Sequence, residues 1–105
     1  MNIEKAYEGK YIIVRSYDSG CHAGYLKSYN EETRHVCLTK SRRLWKWIGF
    51  TLSEVANDGM ANDEAKLCQE LEEIIVANVI ELIPCTAKAE KNISKYPVFV
   101  PNALA

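Results

Sequence analysis

The fold is indicated most clearly by the stretch KYIIVRSY at residues 10–17. β-Branched and aromatic residues alternate along it with a period of two, which is typical of a β-strand. The two faces would carry Tyr11, Ile13, Arg15 and Tyr17 on one side, and Ile12, Val14 and Ser16 on the other. Asp18-Ser19-Gly20 follows as a turn signal, and we expect a second strand at residues 22–29 to complete a hairpin.

Two further strands are predicted after a polar loop at residues 30–33. The third strand covers residues 35–40, with Ser28 opposite His35 and Leu26 opposite Cys37. Residues 41–43 interrupt the pattern, and residues 44–50 form a short fourth strand. A glycine inside the second strand, Gly24, marks either a β-bulge or a close approach of another backbone or a ligand.

The second half of the chain combines capped helices with an ambiguous apolar segment. Thr51 and Glu54 form a capping box that starts a helix at residues 52–57, which Gly59 ends. Residues 70–83 fit either a helix or two strands around Ala77-Asn78, and their many β-branched residues favour strands. A last helix is predicted at residues 87–94. The sequence therefore predicts a mainly β (α+β) protein: a small antiparallel β barrel or rolled sheet with two short helices.

Length and composition limit the protein to one domain and exclude several classes. The chain has 105 residues, of which 48% are hydrophobic, so it is too short for two domains and too apolar to be disordered. We expect a single domain over 1–105, with a globular core at about 9–96 and an extended tail at 97–105. No apolar run reaches the roughly 18 residues of a membrane helix. Without an apolar leader, we expect a cytoplasmic protein without membrane contact.

The charges are unevenly distributed. Residues 1–50 hold nine Lys and Arg against five Asp and Glu, whereas residues 51–105 hold four against nine, and the net charge is −1. This asymmetry favours an anion-attracting surface or head-to-tail contact between copies, unless folding interleaves the halves and cancels the field. We do not expect duplex DNA as a partner, because proteins that bind it usually carry a strong basic excess.

Two groups of cysteine and histidine, Cys21-His22 and His35-Val36-Cys37, are of the residue types that bind zinc. The four cysteines form no C-x-x-C motif and are expected to stay reduced. The predicted hairpin keeps Cys21 and His22 away from His35 and Cys37 along the ladder, and adjacent strand residues point to opposite faces. Four ligands would not converge on one zinc ion, nor would Cys21 and His22 form a nucleophile–base pair. We therefore expect no metal, no cofactor and no enzymatic activity.

The strongest candidate for a binding site is the stretch KSRRLWKW at residues 40–47. Arginine presents donors that match phosphate oxygens, and tryptophan presents a surface on which a base stacks. In an extended strand Arg43 and Trp45 share a face. The alternative is that the tryptophans belong to the core or to an interface, with the arginines paired to the acidic half. The predicted ligand-binding residues from this stretch are Arg42, Arg43, Trp45 and Lys46.

The hairpin around residues 15–24 is a second candidate. Its glycines permit close approach of a ligand, and turn amides bind anions. Arg15 and Tyr17 would add a charge and a stacking ring, and His22 a polar group. The alternative is an ordinary tight hairpin whose Tyr17 packs against the core.

Four motifs together resemble a family of small accessory proteins encoded by tailed bacteriophages and prophages. They are R-S-Y-x-x-G-x-H-x-G-x-L from Arg15, R-R-L-W-x-W from Arg42, T-L-S-E-x-A from Thr51 and I-E-L-I-P-C-T from Ile80. The resemblance covers roughly residues 9–98. It implies a non-structural protein in the cytoplasm of a bacterial host, and it provides no catalytic residues.

These observations lead to a functional prediction with alternatives. The chain is expected to be a non-catalytic protein that binds and sequesters a small, anionic, nucleotide-type signalling ligand of host defence. A domain this small has little room for a deep pocket, so the site is predicted to lie between protomers of a homo-oligomer. The alternatives are a module that inhibits a host defence protein, a single-stranded nucleic-acid binder, and an enzyme using His22 or His35.

Overall fold

The computed structural model describes residues 2–100. These residues form three helices and six strands, mainly antiparallel β as predicted, with one more helix than expected. The helices are α1 (Ile3–Tyr7), α2 (Leu52–Asp58) and α3 (Ala87–Lys95); the strands are β1 (Tyr11–Ser16), β2 (Gly20–Asn30), β3 (His35–Lys46), β4 (Lys66–Leu67), β5 (Leu71–Val76) and β6 (Val79–Pro84). No helix within residues 2–100 is long and apolar enough to cross a membrane.

The sheet is rolled because its two ends are joined by a very short turn. The strand order is β4-β3-β2-β1-β6, and β5 pairs with the first part of β3. The consecutive strands β5 and β6 therefore lie at opposite sides of the sheet, on β3 and β1. Only Ala77 and Asn78 connect them, and Asn78 has a φ of +53°, which a tight turn uses and asparagine tolerates. The turn holds the two sides close together, so the sheet must curl around an interior.

The bend in β3 occurs opposite Gly24. The ladder register shifts there, and Lys40 on β3 has a φ of +48°. A Cβ on Gly24 would lie 3.0 Å from the carbonyl oxygen of Thr39 and 3.1 Å from the Cα of Ser41. This confirms the expectation of a close backbone approach, and only glycine leaves that space free.

The curled sheet separates two apolar cores. The inner core lies within the roll, and the outer core lies between the other face and helices α2 and α3. The buried residues of the inner core are Ile12, Val14, Leu26, Val36, Leu38, Val76 and Val79. Those of the outer core are Tyr11, Ile13, Ala23, Leu44, Val55, Ala56, Met60, Leu67, Ala89 and Ile93. Burying each large aliphatic side chain contributes about 1.5–3 kcal/mol to folding.

Three local predictions are wrong. The third and fourth strands are one strand, His35–Lys46, because the irregularity at Lys40 bends the ladder without ending it. The hairpin register differs: Asn30 lies opposite His35, because the four-residue loop covers residues 31–34, one position later than predicted, and ends at Arg34, whose φ is +59°. The unexpected helix α1 begins at Asn2, whose side chain accepts a hydrogen bond from the amide of Lys5 at 2.9 Å.

Other elements agree closely with the sequence. The capping box at Thr51 and Glu54 is present, and α2 ends at Gly59, which has a φ of +79°. Residues 71–76 and 79–84 are strands, which resolves the ambiguous segment as predicted. The helix predicted at residues 87–94 extends to Lys95. Of the predicted tail at 97–105, residues 101–105 lie outside the described residues.

Candidate ligand-binding surface

An aromatic pair beside a surface cavity forms the first candidate site. The Trp45 side chain is 56% exposed, and its ring centroid lies 5.1 Å from that of Phe99. The Nζ atom of Lys66 lies 5.6 Å from the centroid of Trp45 and 4.9 Å from that of Phe99. A cavity of about 580 Å³ opens beside them, which we call the Trp45 groove. It is lined by Arg43, Trp45, Cys68, Gln69, Val98, Phe99 and Val100.

Two features position the groove: the alternation of side chains along β3, and residues 93–100, which we call the C-terminal segment. Along β3 the side chains of Arg42 and Leu44 are buried while those of Arg43 and Trp45 are exposed, as the predicted alternation requires. Phe99 is held against β4, because its amide donates a hydrogen bond to the carbonyl of Leu67 at 2.9 Å.

Arg42 points into the fold and secures the C-terminal segment. Its side chain is 2% exposed. Its guanidinium donates hydrogen bonds to the carbonyl oxygens of Cys68 (3.0 Å), Ile93 (2.9 Å), Tyr96 and Pro97 (3.5 Å). Because these donors are engaged inside the protein, we assign Arg42 to the architecture of the groove and not to its lining.

Lys46 and Trp47 lie outside the groove. Lys46 is exposed at the end of β3, opposite Lys66 in the β3–β4 ladder. Trp47 packs against the outer core, and its indole Nε1 donates a hydrogen bond to the carbonyl of Phe50 at 2.9 Å. Trp47 therefore packs in the core, as the alternative interpretation expects, whereas Trp45 is exposed at the surface.

The hairpin residues are dispersed. The Nε atom of Arg15 donates to a carboxylate oxygen of Glu81 at 3.0 Å, so an exposed ion pair occupies this guanidinium. Tyr17 is 89% exposed in the turn and does not pack against the core. His22 is 1% exposed and lies inside, where burial and the neighbouring charge of Arg43 lower its pKa.

A second, smaller cavity contains His22. We call this cavity of about 180 Å³ the His22 pocket. It lies between the β1–β2 turn and the end of β5, and the two are linked by hydrogen bonds from Ser16 Oγ to the carbonyl of Ala77 (2.9 Å) and from Asn78 Nδ2 to Asp18 (3.0 Å). It is lined by Ser16, Asp18, Ser19, His22, Arg43 and residues 74–77.

Arg43 alone of the predicted residues lines both cavities. The fold brings Arg43 and Trp45 together at the groove, and it brings Arg43 and His22 together at the pocket. The other predicted residues line neither cavity: Arg15, Tyr17, Arg42 and Lys46. Sequence reasoning missed Lys66 and Phe99. Phe99, between two prolines, was assigned to an extended tail, and its aromatic ring was the available signal.

The cysteines and histidines do not gather into a metal site. Within residues 2–100, no group of three or more His, Cys, Asp or Glu side chains is placed to hold a metal ion. Burial raises the pKa of the Cys85 thiol to about 12 and also raises that of Cys21. Both are therefore thiols at neutral pH, which is unfavourable for nucleophilic chemistry.

Solved structures similar to this chain are Sm proteins. A heptameric archaeal Sm protein has a TM-score of 0.53 and 18% identity, covering 78% of this chain and 94% of its own. A Sm protein from Pyrococcus abyssii, in complex with a uridine heptamer, has a TM-score of 0.50 and 15% identity, covering 78% and 92%. The P. aerophilum SmAP1 heptamer has a TM-score of 0.53 and 18% identity, covering 79% and 88%. At these identities the likeness shows a Sm-like fold.

No curated protein matches this chain. The comparisons do not test the resemblance to phage accessory proteins, which stays a prediction. A family model described as "Domain of unknown function (DUF6948)" matches residues 9–93, which is most of the chain. The chain therefore belongs to the DUF6948 family.

Proposed function

We propose that this chain is a non-catalytic binding protein that holds a nucleotide-type ligand at the Trp45 groove. The observation that carries the proposal is the exposed Trp45 ring paired with Phe99, with Lys66 over both rings. Tryptophan is usually largely buried, so a half-exposed ring in a groove is a notable surface feature. Stacking of a base on such a ring contributes about 1–3 kcal/mol.

The charge of the groove suits an anionic ligand. Arg43 belongs to its lining, Lys66 stands beside it, and none of its described lining residues is acidic. An aromatic face next to two cations matches a nucleotide, which joins a planar base to a phosphate. The net charge of −1 argues against long nucleic acid and for a small or short ligand.

The proposal includes a homo-oligomer. Among the described residues, β5 pairs only with β3 and β6 only with β1, so each has a free edge. Exposed apolar side chains lie on both strands: Ile75 is 69% exposed and Ile80 is 44% exposed. Pairing β5 of one copy with β6 of the next would satisfy the backbone hydrogen bonds of both edges. Repeated around an axis, this contact closes a ring when the rotation between neighbouring copies divides a full turn evenly. The Trp45 groove is lined by residues of β3, of the segment before β5 and of the C-terminal end of the same copy, so we place one groove on each copy instead of between protomers.

The biological use that we propose is sequestration of a nucleotide signal of host defence. It rests on the resemblance to phage accessory proteins and on the absence of a catalytic constellation among the described residues. Binding of a host defence protein is the alternative, and a pull-down from the bacterial host tests it.

A short single-stranded RNA is the second candidate ligand. The similar Sm protein from Pyrococcus abyssii is in complex with a uridine heptamer, and this observation favours RNA. The two ligands differ in their expected length dependence. An oligonucleotide site tightens as nucleotides are added, and its affinity falls with salt, whereas a mononucleotide site is saturated by one unit.

The test is calorimetric titration with mononucleotides and with short oligouridylates, together with native mass spectrometry. Trp45→Ala is expected to weaken binding at least tenfold. Ile48→Ala is the matched control, because Ile48 is 52% exposed and does not line the groove. The ligand should be recovered unchanged after incubation. Equal affinities for both variants would contradict the groove assignment, and conversion of the ligand would contradict the non-catalytic role.

A further inference from the structure

The His22 pocket contains two buried polar atoms without partners. Within residues 2–100, neither His22 Nδ1 nor Ser19 Oγ has a hydrogen-bond partner. The His22 side chain is 1% exposed, and both residues line the pocket. A buried polar atom left unpaired destabilises the folded protein, so such a site calls for a ligand or a bound water.

The hydrogen bond at Nε2, on the other side of the imidazole ring, determines whether Nδ1 is a donor or an acceptor. His22 Nε2 lies 3.0 Å from the carbonyl oxygen of Ser19. A carbonyl oxygen can only accept, so Nε2 carries the hydrogen atom. Burial and the charge of Arg43 lower the pKa of His22, which keeps the ring neutral at pH 7. The neutral ring has only one N–H, and Nδ1 is therefore a bare acceptor that needs a donor.

The remaining groups of the pocket disfavour an anion. Arg43 contributes donors, and its Nη1 lies 3.5 Å from the carbonyl of Ser19. Asp18 contributes a carboxylate, which accepts a hydrogen bond from Asn78. One positive and one negative group leave no net charge, and a phosphate oxygen would face the lone pair of His22. A neutral group that presents an N–H donor beside a carbonyl acceptor satisfies both His22 and Arg43.

We propose that the His22 pocket binds the imide edge of a uracil-type base, with its N3–H donating to His22 Nδ1 and a flanking carbonyl accepting from Arg43. The proposal rests on the proposed function, because it assigns a base to a second position next to the groove. The cavity of about 180 Å³ equals the liquid volume of roughly six water molecules. This is room for a planar ring.

The pocket and the Trp45 groove share Arg43 as a lining residue. Arg43 and Trp45 are two positions apart on the same face of β3, which corresponds to about 6.6 Å along a strand. A dinucleotide spans such a distance. One base would stack on Trp45 and the other would enter the pocket, with Arg43 facing the phosphodiester between them.

The decisive experiment compares uridylyl-(3′,5′)-uridine with its analogue methylated at N3 of both bases. Methylation removes the imide hydrogen but leaves both carbonyls, the charge and the stacking surface. We expect affinity to fall at least tenfold. Equal affinities would overturn the inference and leave the groove assignment intact.

Failure of the inference is distinguishable from failure of the proposed function. If adenylyl-(3′,5′)-adenosine binds in a Trp45-dependent way and uridylyl-uridine does not bind, the pocket assignment is wrong and the groove stands. If no nucleotide binds, both proposals fall.

His22→Gln provides a second line of evidence. The glutamine amide keeps a donor towards Ser19 but removes the acceptor at the position of Nδ1. We expect this variant to bind the parent and the methylated dinucleotide equally weakly. If the variant does not fold, nitrogen NMR of the wild-type imidazole decides: the free protein should show a hydrogen on Nε2, and the Nδ1 signal should shift when uridylyl-uridine is added. A hydrogen on Nδ1 in the free protein would overturn the inference.

Discussion

Arg43 lies directly across the β2–β3 ladder from His22, and both side chains reach the carbonyl oxygen of Ser19. Burial of the imidazole and, beside it, the charge of Arg43 lower the pKa of His22. The charged groups that line the pocket are Arg43 on β3 and Asp18 in the turn, while the wall from β5, residues 74–77, carries no titratable side chain.

The stability of the protein should fall as pH is lowered from 7 towards 5. Unfolded His22 takes up a proton near its ordinary pKa of about 6.5, whereas folded His22 does so only at lower pH. The unfolded state therefore binds more protons in this window, and protons favour unfolding. Urea unfolding of wild type and His22→Gln at pH 7, 6 and 5 measures the effect. Carboxylates contribute alike in both proteins, so the wild type should lose more stability, and parallel losses would contradict the assignment.

Replacement of Arg42 should lower stability and leave the chemistry of the groove lining unchanged. Arg42→Lys removes the fork that reaches the carbonyls of Cys68, Ile93, Tyr96 and Pro97, and a lysine cannot reproduce that geometry. We expect a loss of about 2–4 kcal/mol in the free energy of unfolding, because buried carbonyls lose charged partners. Lys46→Ala, in the same strand but exposed, should change it by less than about 0.5 kcal/mol. A stable Arg42→Lys protein with selectively impaired ligand binding would instead make Arg42 a ligand contact.

Gly24 should resist even the smallest substitution. Gly24→Ala places a methyl group 3.0 Å from the carbonyl oxygen of Thr39 and 3.1 Å from both Leu38 Cβ and Ser41 Cα, and all three are backbone or Cβ atoms of β3. The strands must separate, and such overpacking costs about 1–3 kcal/mol. Thermal unfolding of Gly24→Ala beside Ser28→Ala, an exposed position on the same strand, measures the cost. Equal melting temperatures would show that the bend of β3 accommodates a side chain.

The sequence predicted the strand content of the sheet because the signals are local. Period-two alternation at residues 11–16, the capping box at Thr51 and the β-branched density of residues 71–84 each depend on neighbouring residues. The continuity of β3, in contrast, does not depend on neighbouring residues in the sequence. Lys40 takes a positive φ because β3 bends past Gly24 on another strand, and the sequence around residues 41–43 contains no local sign of that contact.

The candidate site was predicted only in part for the same reason. Alternation placed Arg43 and Trp45 on one face correctly. It could not show that Arg42 turns inward to the C-terminal segment, 51 residues further along at Ile93. Lys66 lies on β4, and Phe99 follows Val98, which pairs with Leu67 of β4. Both residues reach Trp45 in this way, but the two-residue strand β4 is too short to give a periodic pattern in the sequence.

The proposed assembly depends on the free edges of β5 and β6, and charges placed on them should dissociate it. Ile75→Glu and Ile80→Glu each introduce a carboxylate at an exposed apolar position of a free-edge strand. Pairing with another copy would bury that charge, so each variant should shift the protein to monomers in native mass spectrometry at micromolar concentration. Ile48→Glu, exposed but outside both strands, should leave the oligomer intact. A monomeric wild type would contradict the assembly, and an oligomer that survives both edge variants would place the interface on another surface.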